Sequence, residues 1–453
     1  MRRLLPILLV SLLALPALAA AKTSLSPSLL QRAADDACLG FAHTLSSRAA
    51  TPCAVSGLTR RVLAGDVAEY SFALRVGAGP FDVIGLHRVV REAAPFEPRR
   101  THQALLMIHG DIWGWDTAFL SDPGRNLPVF LAHNDVDVWG IDLRWVRVPA
   151  STTDFTFMRD WGIAHDARDV ETVLTVARAV RLLGGDGGDR LALLGWSRGG
   201  IIGYAVLDAE TQRPRSLRNV DAYIPVDIYL KTNDETFRQN ACRRLAAEQA
   251  QLAAGGYQNT NGSIVGTIAA LATANPTGSS PVFPGLTNYQ AALLTGEATF
   301  VFFPPDQQPV PFYHFTAGTF AAAPAPSGLP VPTGLTYSPE PTFLRFLGGA
   351  APFQAERELA DSDLAICNEH DAPFADHLSA ITVPILYVGA GGGFGDYGIY
   401  TTTLLGSTDV TTHVVHVAPA TQRLSDYGHA DLFLGRHSDT LVWQPILDWL
   451  RVH

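Results

Sequence analysis

The chain has 453 residues, 47% of them hydrophobic and 17% charged, and a formal net charge of −10. Those values support a substantial core in one large domain or two smaller ones. The acidic balance gives no reason to expect a polyanionic partner such as nucleic acid.

Residues 1–21 open with two arginines, continue as an apolar run broken by Pro6 and Pro16, and end in small residues. This is the three-part layout of a secretory signal, cleaved after Ala19 or Ala21. The run is too short and interrupted for a comfortable membrane span. The expectation is therefore an exported protein, periplasmic or extracellular, with no stable span once the signal is removed. Cys38, Cys53, Cys242 and Cys367 all follow the signal and permit three pairings. Export favours disulfides, with the short Cys38–Cys53 loop as the first expectation and Cys242–Cys367 as the second. Free buried thiols are the alternative for the second pair. The spacings do not resemble a zinc knuckle.

A helix is expected over Pro27–Ala37, then extended pieces at 69–76, 81–92 and 104–111. Residues 129–146 hold a short helix and a strand entering Gly140. Short apolar strands that end in Gly, His or Asp suggest a mostly parallel sheet whose strand ends face a crevice. Residues 165–183 carry apolar positions at helical spacing, and GGDGGDR (184–190) ends that helix. A buried strand over 191–195, a helix over 198–210 and a strand over 221–230 complete a βαβ rhythm. Between 231 and 380 the texture changes to Gly, Asn, Thr and Ala, then to clustered prolines. This block reads as a cap or lid inserted between 22–230 and 381–453, and its PVFP, TFVFFP and PFYHF stretches favour packing over something. The sheet resumes at 382–390 and 412–418, and 440–450 closes as an amphipathic helix.

The stretch LLGWSRGGIIGY (193–204) contains G-x-S-x-G between an apolar strand and a helical pattern. In that turn a strained backbone projects the Ser197 hydroxyl above the sheet, while the helix N–H groups face any oxyanion beside it. MIHGD (107–111) ends an earlier strand. The backbone N–H of Asp111 is the expected second oxyanion donor beside that of Arg198, with His109 bracing its loop. His429 follows the last strand and has the imidazole pKa that both steps of acyl transfer require. The acid is expected after the strand ending near Val388, in GAGGGFGDYG (389–398), where Asp396 is the acidic residue. Asp227, after the preceding strand, is the substitute; Asp363, Asp409 and Asp426 are less well placed.

MIHGD, DVWGIDLRW (137–145), GWSRGG (195–200), VPILYVGAGG (383–392) and GHADLFLG (428–435) together resemble the α/β-hydrolase superfamily. The resemblance covers about 84–230 and 382–453. It implies an α/β fold with an eight-stranded, mostly parallel sheet, helices on both faces and a variable cap. It also implies Ser197 as nucleophile, His429 as base then acid, and Asp396 as the orienting carboxylate. In the superfamily the acid usually follows its strand sooner than the glycine-rich stretch allows, and Asp111 departs from the HGGG-type hole.

The expected activity is hydrolysis of a small-molecule carboxylic ester through an acyl-serine, with no metal or organic cofactor. Trp113, Trp115, Trp139 and Trp196 fall near strand ends and could line an apolar pocket, although Trp139 suits the core equally. Alternatives are an amidase or aminopeptidase with the same triad, which a negative pocket residue from the cap would favour. A non-catalytic binding protein and a cell-surface structural protein also stand as alternatives.

Overall fold

The computed structural model describes residues 25–42 and 54–453. The expected secretory signal and the expected Cys38–Cys53 bridge lie outside the described residues.

The centre of the molecule is a ten-stranded sheet. Nine strands follow one path: Val55–Ala64, Val67–Arg75, Val83–Ala94, Val136–Asp142, Gln103–Ile108, Leu191–Trp196, Val220–Val226, Ile385–Ala390 and Val410–Val415. The two-residue strand Glu97–Pro98 pairs with the third of these. The last six on the path run parallel to one another, and the first three are joined antiparallel to each other and to Val136–Asp142 at one edge. The mostly parallel sheet was expected; the count exceeds eight because of this N-terminal edge. No side chain of Val55–Ala64 is fully buried and half of its positions are exposed, so no apolar alternation announces it.

Strands buried on both faces read as continuous apolar runs. In ALLMI (104–108), Leu106 and Ile108 enter one core cluster while Leu105 and Met107 enter the other. The first cluster takes in the helices Pro27–Ala42, Ile163–Gly184 and Arg198–Thr211; the second takes in the C-terminal helix. Gly185 ends Ile163–Gly184 at φ 88°, a left-handed cap that glycine adopts without a Cβ penalty. The C-terminal helix begins with a π-helical stretch, Asp439–Trp443, before Gln444–Leu450. Pro445, lacking an N–H, cannot close the ordinary ladder there.

Residues 231–380 are inserted between the strands Val220–Val226 and Ile385–Ala390. Five helices dominate this insert: Glu235–Ala253, Asn261–Ala274, Asn288–Glu297, Glu340–Gly348 and Glu356–Cys367. Local signals start two of them. The Asp234 carboxylate accepts from the N–H groups of Thr236 and Phe237, and Thr287 with Gln290 forms a reciprocal capping box. A disulfide, Cys242–Cys367, joins the first helix to the last. Among the described residues, no helix is long and apolar enough to cross a membrane.

Candidate active site

Ser197 sits between the strand Leu191–Trp196 and the helix Arg198–Thr211, at φ 56° and ψ −130°. A non-glycine residue with positive φ is uncommon, and the surroundings must hold it there. The Ser197 N–H donates to the Val226 carbonyl at 2.9 Å, and the Gly200 N–H donates to the Ser197 carbonyl at 2.8 Å. Three glycines make the approach possible. A Cβ on Gly195 would strike the Gly199 carbonyl, one on Gly199 would meet the carbonyls of Ile108 and His109 at 2.5 Å, and one on Gly110 would meet Ser197 Cβ at 2.7 Å.

Trp196 pairs with Val226 across neighbouring parallel strands, so Asp227 emerges beside Ser197 at the same end of the sheet. Asp227 has φ 50°. Its Oδ2 lies 2.6 Å from His429 Nδ1, with both side chains fully buried. The carboxylate also accepts the N–H groups of Ala390 at 2.8 Å, Phe394 at 3.1 Å and Gly395 at 2.8 Å. The glycine-rich loop therefore wraps Asp227. A Cβ on Gly393 would collide with its carboxylate.

Asp396 is a correction. Its side chain is 66% exposed and lies 3.2 Å from His416 Nε2, while His416 Nδ1 lies 3.0 Å from Asp426. The sequence suggested that the glycines turned the chain to present an acid of their own. They instead leave room and N–H donors for an acid from the adjacent strand, the substitute Asp227.

His429 Nε2 is buried and has no protein hydrogen-bond partner, so no hydrogen bond joins it to Ser197. The ring stacks on Trp196 at 5.0 Å and is flanked by Tyr313 and Phe315 at 5.4 and 5.3 Å. Those two aromatics belong to the PFYHF stretch of the insert. The same stretch holds the histidine loop through its backbone: His429 N–H donates to the His314 carbonyl at 3.0 Å, and Ala430 N–H to that of Phe315 at 2.7 Å. Asp431 completes the join, accepting from Thr316 Oγ1 at 2.7 Å and the Ala317 N–H at 3.0 Å.

Arg198 and Asp111 face each other across the serine turn. Arg198 Nη2 donates to Asp111 Oδ2 at 2.9 Å and Nε donates to Oδ1, a two-point ion pair; Gln354 Nε2 donates to Asp111 Oδ1 at 2.7 Å. Burial alone would raise the Asp111 carboxyl, but the Arg198 guanidinium and the Gln354 amide hold it below its ordinary range. This pair was not anticipated, since Arg198 had no assigned ionic role. His109 braces its loop: Nδ1 contacts the Gly110 carbonyl at 3.0 Å and Nε2 accepts from the Leu143 N–H at 3.2 Å. Burial lowers its pKa, which favours the neutral ring that this acceptor role needs.

A cavity of about 300 Å³ opens over Ser197 between the sheet and the insert. Ile112, Val265, Phe302, Phe315 and Leu347 give it apolar walls. Of the four tryptophans expected there, only Trp113 reaches it; Trp115, Trp139 and Trp196 are fully buried. Trp115 fills the space above Gly140, and Trp196 supports His429. Among the described residues, the one grouping with metal-ligand proximity is Cys242, Cys367 and Glu369. Its two sulfurs are joined as a disulfide and supply no thiolate.

No protein-family model matches the chain, and no curated protein matches it by sequence. Solved structures do match. A candidate lipase from Sulfolobus solfataricus is 18% identical over 88% of this chain and 99% of its own, with a TM-score of 0.58. A monoglyceride lipase variant from Saccharomyces cerevisiae is 13% identical, covering 88% and 96% of the two chains at a TM-score of 0.43. An epoxide hydrolase from Vigna radiata is 11% identical, covering 87% and 98% at 0.42. The strand order, the serine turn and the likeness to the first of these structures establish that the chain has the α/β-hydrolase fold.

Proposed function

We propose that the protein is a serine hydrolase that cleaves a neutral, largely apolar carboxylic ester. Ser197 attacks the carbonyl, His429 takes its proton and returns it to the leaving alcohol, and an acyl-serine forms. His429 then activates water to release the acid. Asp227 orients and stabilises the imidazolium through Nδ1. The N–H groups of Asp111 and Arg198 hold the oxyanion.

The observation that carries this proposal is the buried 2.6 Å Asp227–His429 contact, on the strand end next to a serine at positive φ. An unpaired, buried His429 Nε2 suits a base awaiting a proton. Catalytic hydrogen bonds are often completed only with substrate bound, so a missing Ser197–His429 bond is compatible with this role. The lining favours an ester over a substrate amine. The cavity's two acidic residues, Asp111 and Asp363, are each held by an arginine, Arg198 and Arg244 respectively. We also propose that residues 231–380 act as the cap and that the protein is exported, for which the Cys242–Cys367 disulfide is suited.

Fluorophosphonate labelling of the intact protein tests the chemistry. Labelling of the wild type and not of Ser197→Ala, with turnover of p-nitrophenyl esters lost in the same variant, is the expected result. A wild type that neither labels nor turns over would leave a binding protein on this fold.

A further inference from the structure

The loop that follows the strand Gln103–Ile108 is tied to the insert at three successive positions. Trp113 forms an isolated antiparallel bridge with Ala350. The Ala351 N–H donates to the Ile112 carbonyl at 2.7 Å. Gln354 Nε2 donates to Asp111 Oδ1 at 2.7 Å. Ile112 needs such a hold, because its φ of 50° is strained for a β-branched residue. The insert segment is itself anchored. Ser263 Oγ donates to the Pro352 carbonyl at 2.8 Å, and Gln354 and Ala355 pair with Asn259 and Gln258.

Asp111 and Arg198 are also the two residues whose N–H groups are proposed to face the oxyanion. Among the described residues, neither N–H donates to another protein group. Their side chains clasp each other, so the separation of the two donors depends on the same ion pair that Gln354 steadies. Gln354 is 1% exposed and cannot exchange this bond for one to bulk water.

We infer that Gln354 is a positioning residue, through which docking of the insert sets the geometry of the oxyanion hole by way of Asp111 and Arg198. This rests on the acyl-serine chemistry proposed above. It makes the insert a contributor to transition-state stabilisation as well as a cover over the cavity. An oxyanion donor acts only where charge develops, so displacing it lowers turnover more than substrate binding.

The test is a double-mutant cycle on the full chain, read with p-nitrophenyl butyrate and with the rate of fluorophosphonate labelling. Gln354→Leu is expected to lower kcat about tenfold and leave KM within about twofold, with labelling slowed in parallel. In an Asp111→Asn background, where the ion pair is already broken, the same substitution is expected to cost less than about twofold. Additive losses, a loss confined to KM, or unchanged kcat would overturn the inference. Thermal unfolding accompanies each variant. If Gln354→Leu does not fold, the closer-sized Gln354→Met takes its place in the cycle. Failure of the wild type to label would instead sink the serine chemistry, which keeps the two outcomes apart.

Discussion

Gly393 lies against the carboxylate of Asp227, where a methyl group has no space. Gly393→Ala is therefore expected to push the acid away from His429 and lower kcat roughly 10²-fold, since misplacements near 1 Å cost that much. Asp227→Asn, which keeps shape and loses charge, is expected to lower kcat by about three to four orders of magnitude. Asp396→Asn is expected to change it less than twofold, because that side chain is exposed and faces His416. Steady-state rates on one chromogenic ester rank the three; equal losses for Asp227 and Asp396 would refute the assignment. That Ser197 and His429 stand at strand ends was legible in the sequence. The carboxylate that meets His429 was not, because a run of glycines looks the same whether it presents its own aspartate or encloses one from 163 to 168 residues earlier. The available clue was the position of Asp227 itself, at the end of the strand following the serine turn.

Single elements also fix the loop that bears Asp111. His87, on the strand Val83–Ala94, lies between Glu69 at 2.9 Å and Asp142 at 3.1 Å. Trp115 stacks on its ring and donates from Nε1 to Glu69 at 3.0 Å, while the Trp115 N–H donates to Asp142 at 2.8 Å. Burial would depress the His87 pKa, but the two carboxylates raise it to about 9. A base raised in the folded state contributes stability that is fully present below its unfolded pKa of about 6.5 and is lost as pH rises through about 9. Asp142 and Glu69 are held below their ordinary range despite burial, so their share is lost on the acid side instead. His87→Gln is expected to cost about 3 kcal/mol at pH 6, and clearly less at pH 10. Urea unfolding at the two pH values checks this, and a pH-independent difference would exclude the charge account. Most sheet strands were legible within a few residues because they are buried on both faces. Val55–Ala64 was not, because an exposed edge strand leaves no apolar signature.

At the scale of the whole molecule, Cys242–Cys367 closes a loop spanning 125 residues of sequence. Replacing both cysteines by serine is expected to destabilise the protein by about 2–4 kcal/mol, seen as a lower unfolding midpoint under non-reducing conditions. An unchanged midpoint would mean that the helices Glu235–Ala253 and Glu356–Cys367 hold together by packing alone. The inserted block was legible from its change in composition, and PFYHF from its apolar content. Which residues it would bring to the site was not. Contacts such as Gln354–Asp111 and His314–His429 join positions more than 100 residues apart, and their pairing follows from strand order and the path of the insert.

The backbone stitching of residues 314–317 to His429, Ala430 and Asp431 limits how the site can open. A covering that swung away as one rigid flap would tear out the scaffold of the His429 loop it exposes. Passage into the cavity must therefore be local, at margins remote from those stitches. By the same reasoning, a shortened chain with the whole insert excised would keep the Ser197 turn but lose the backing that aims the His429 imidazole.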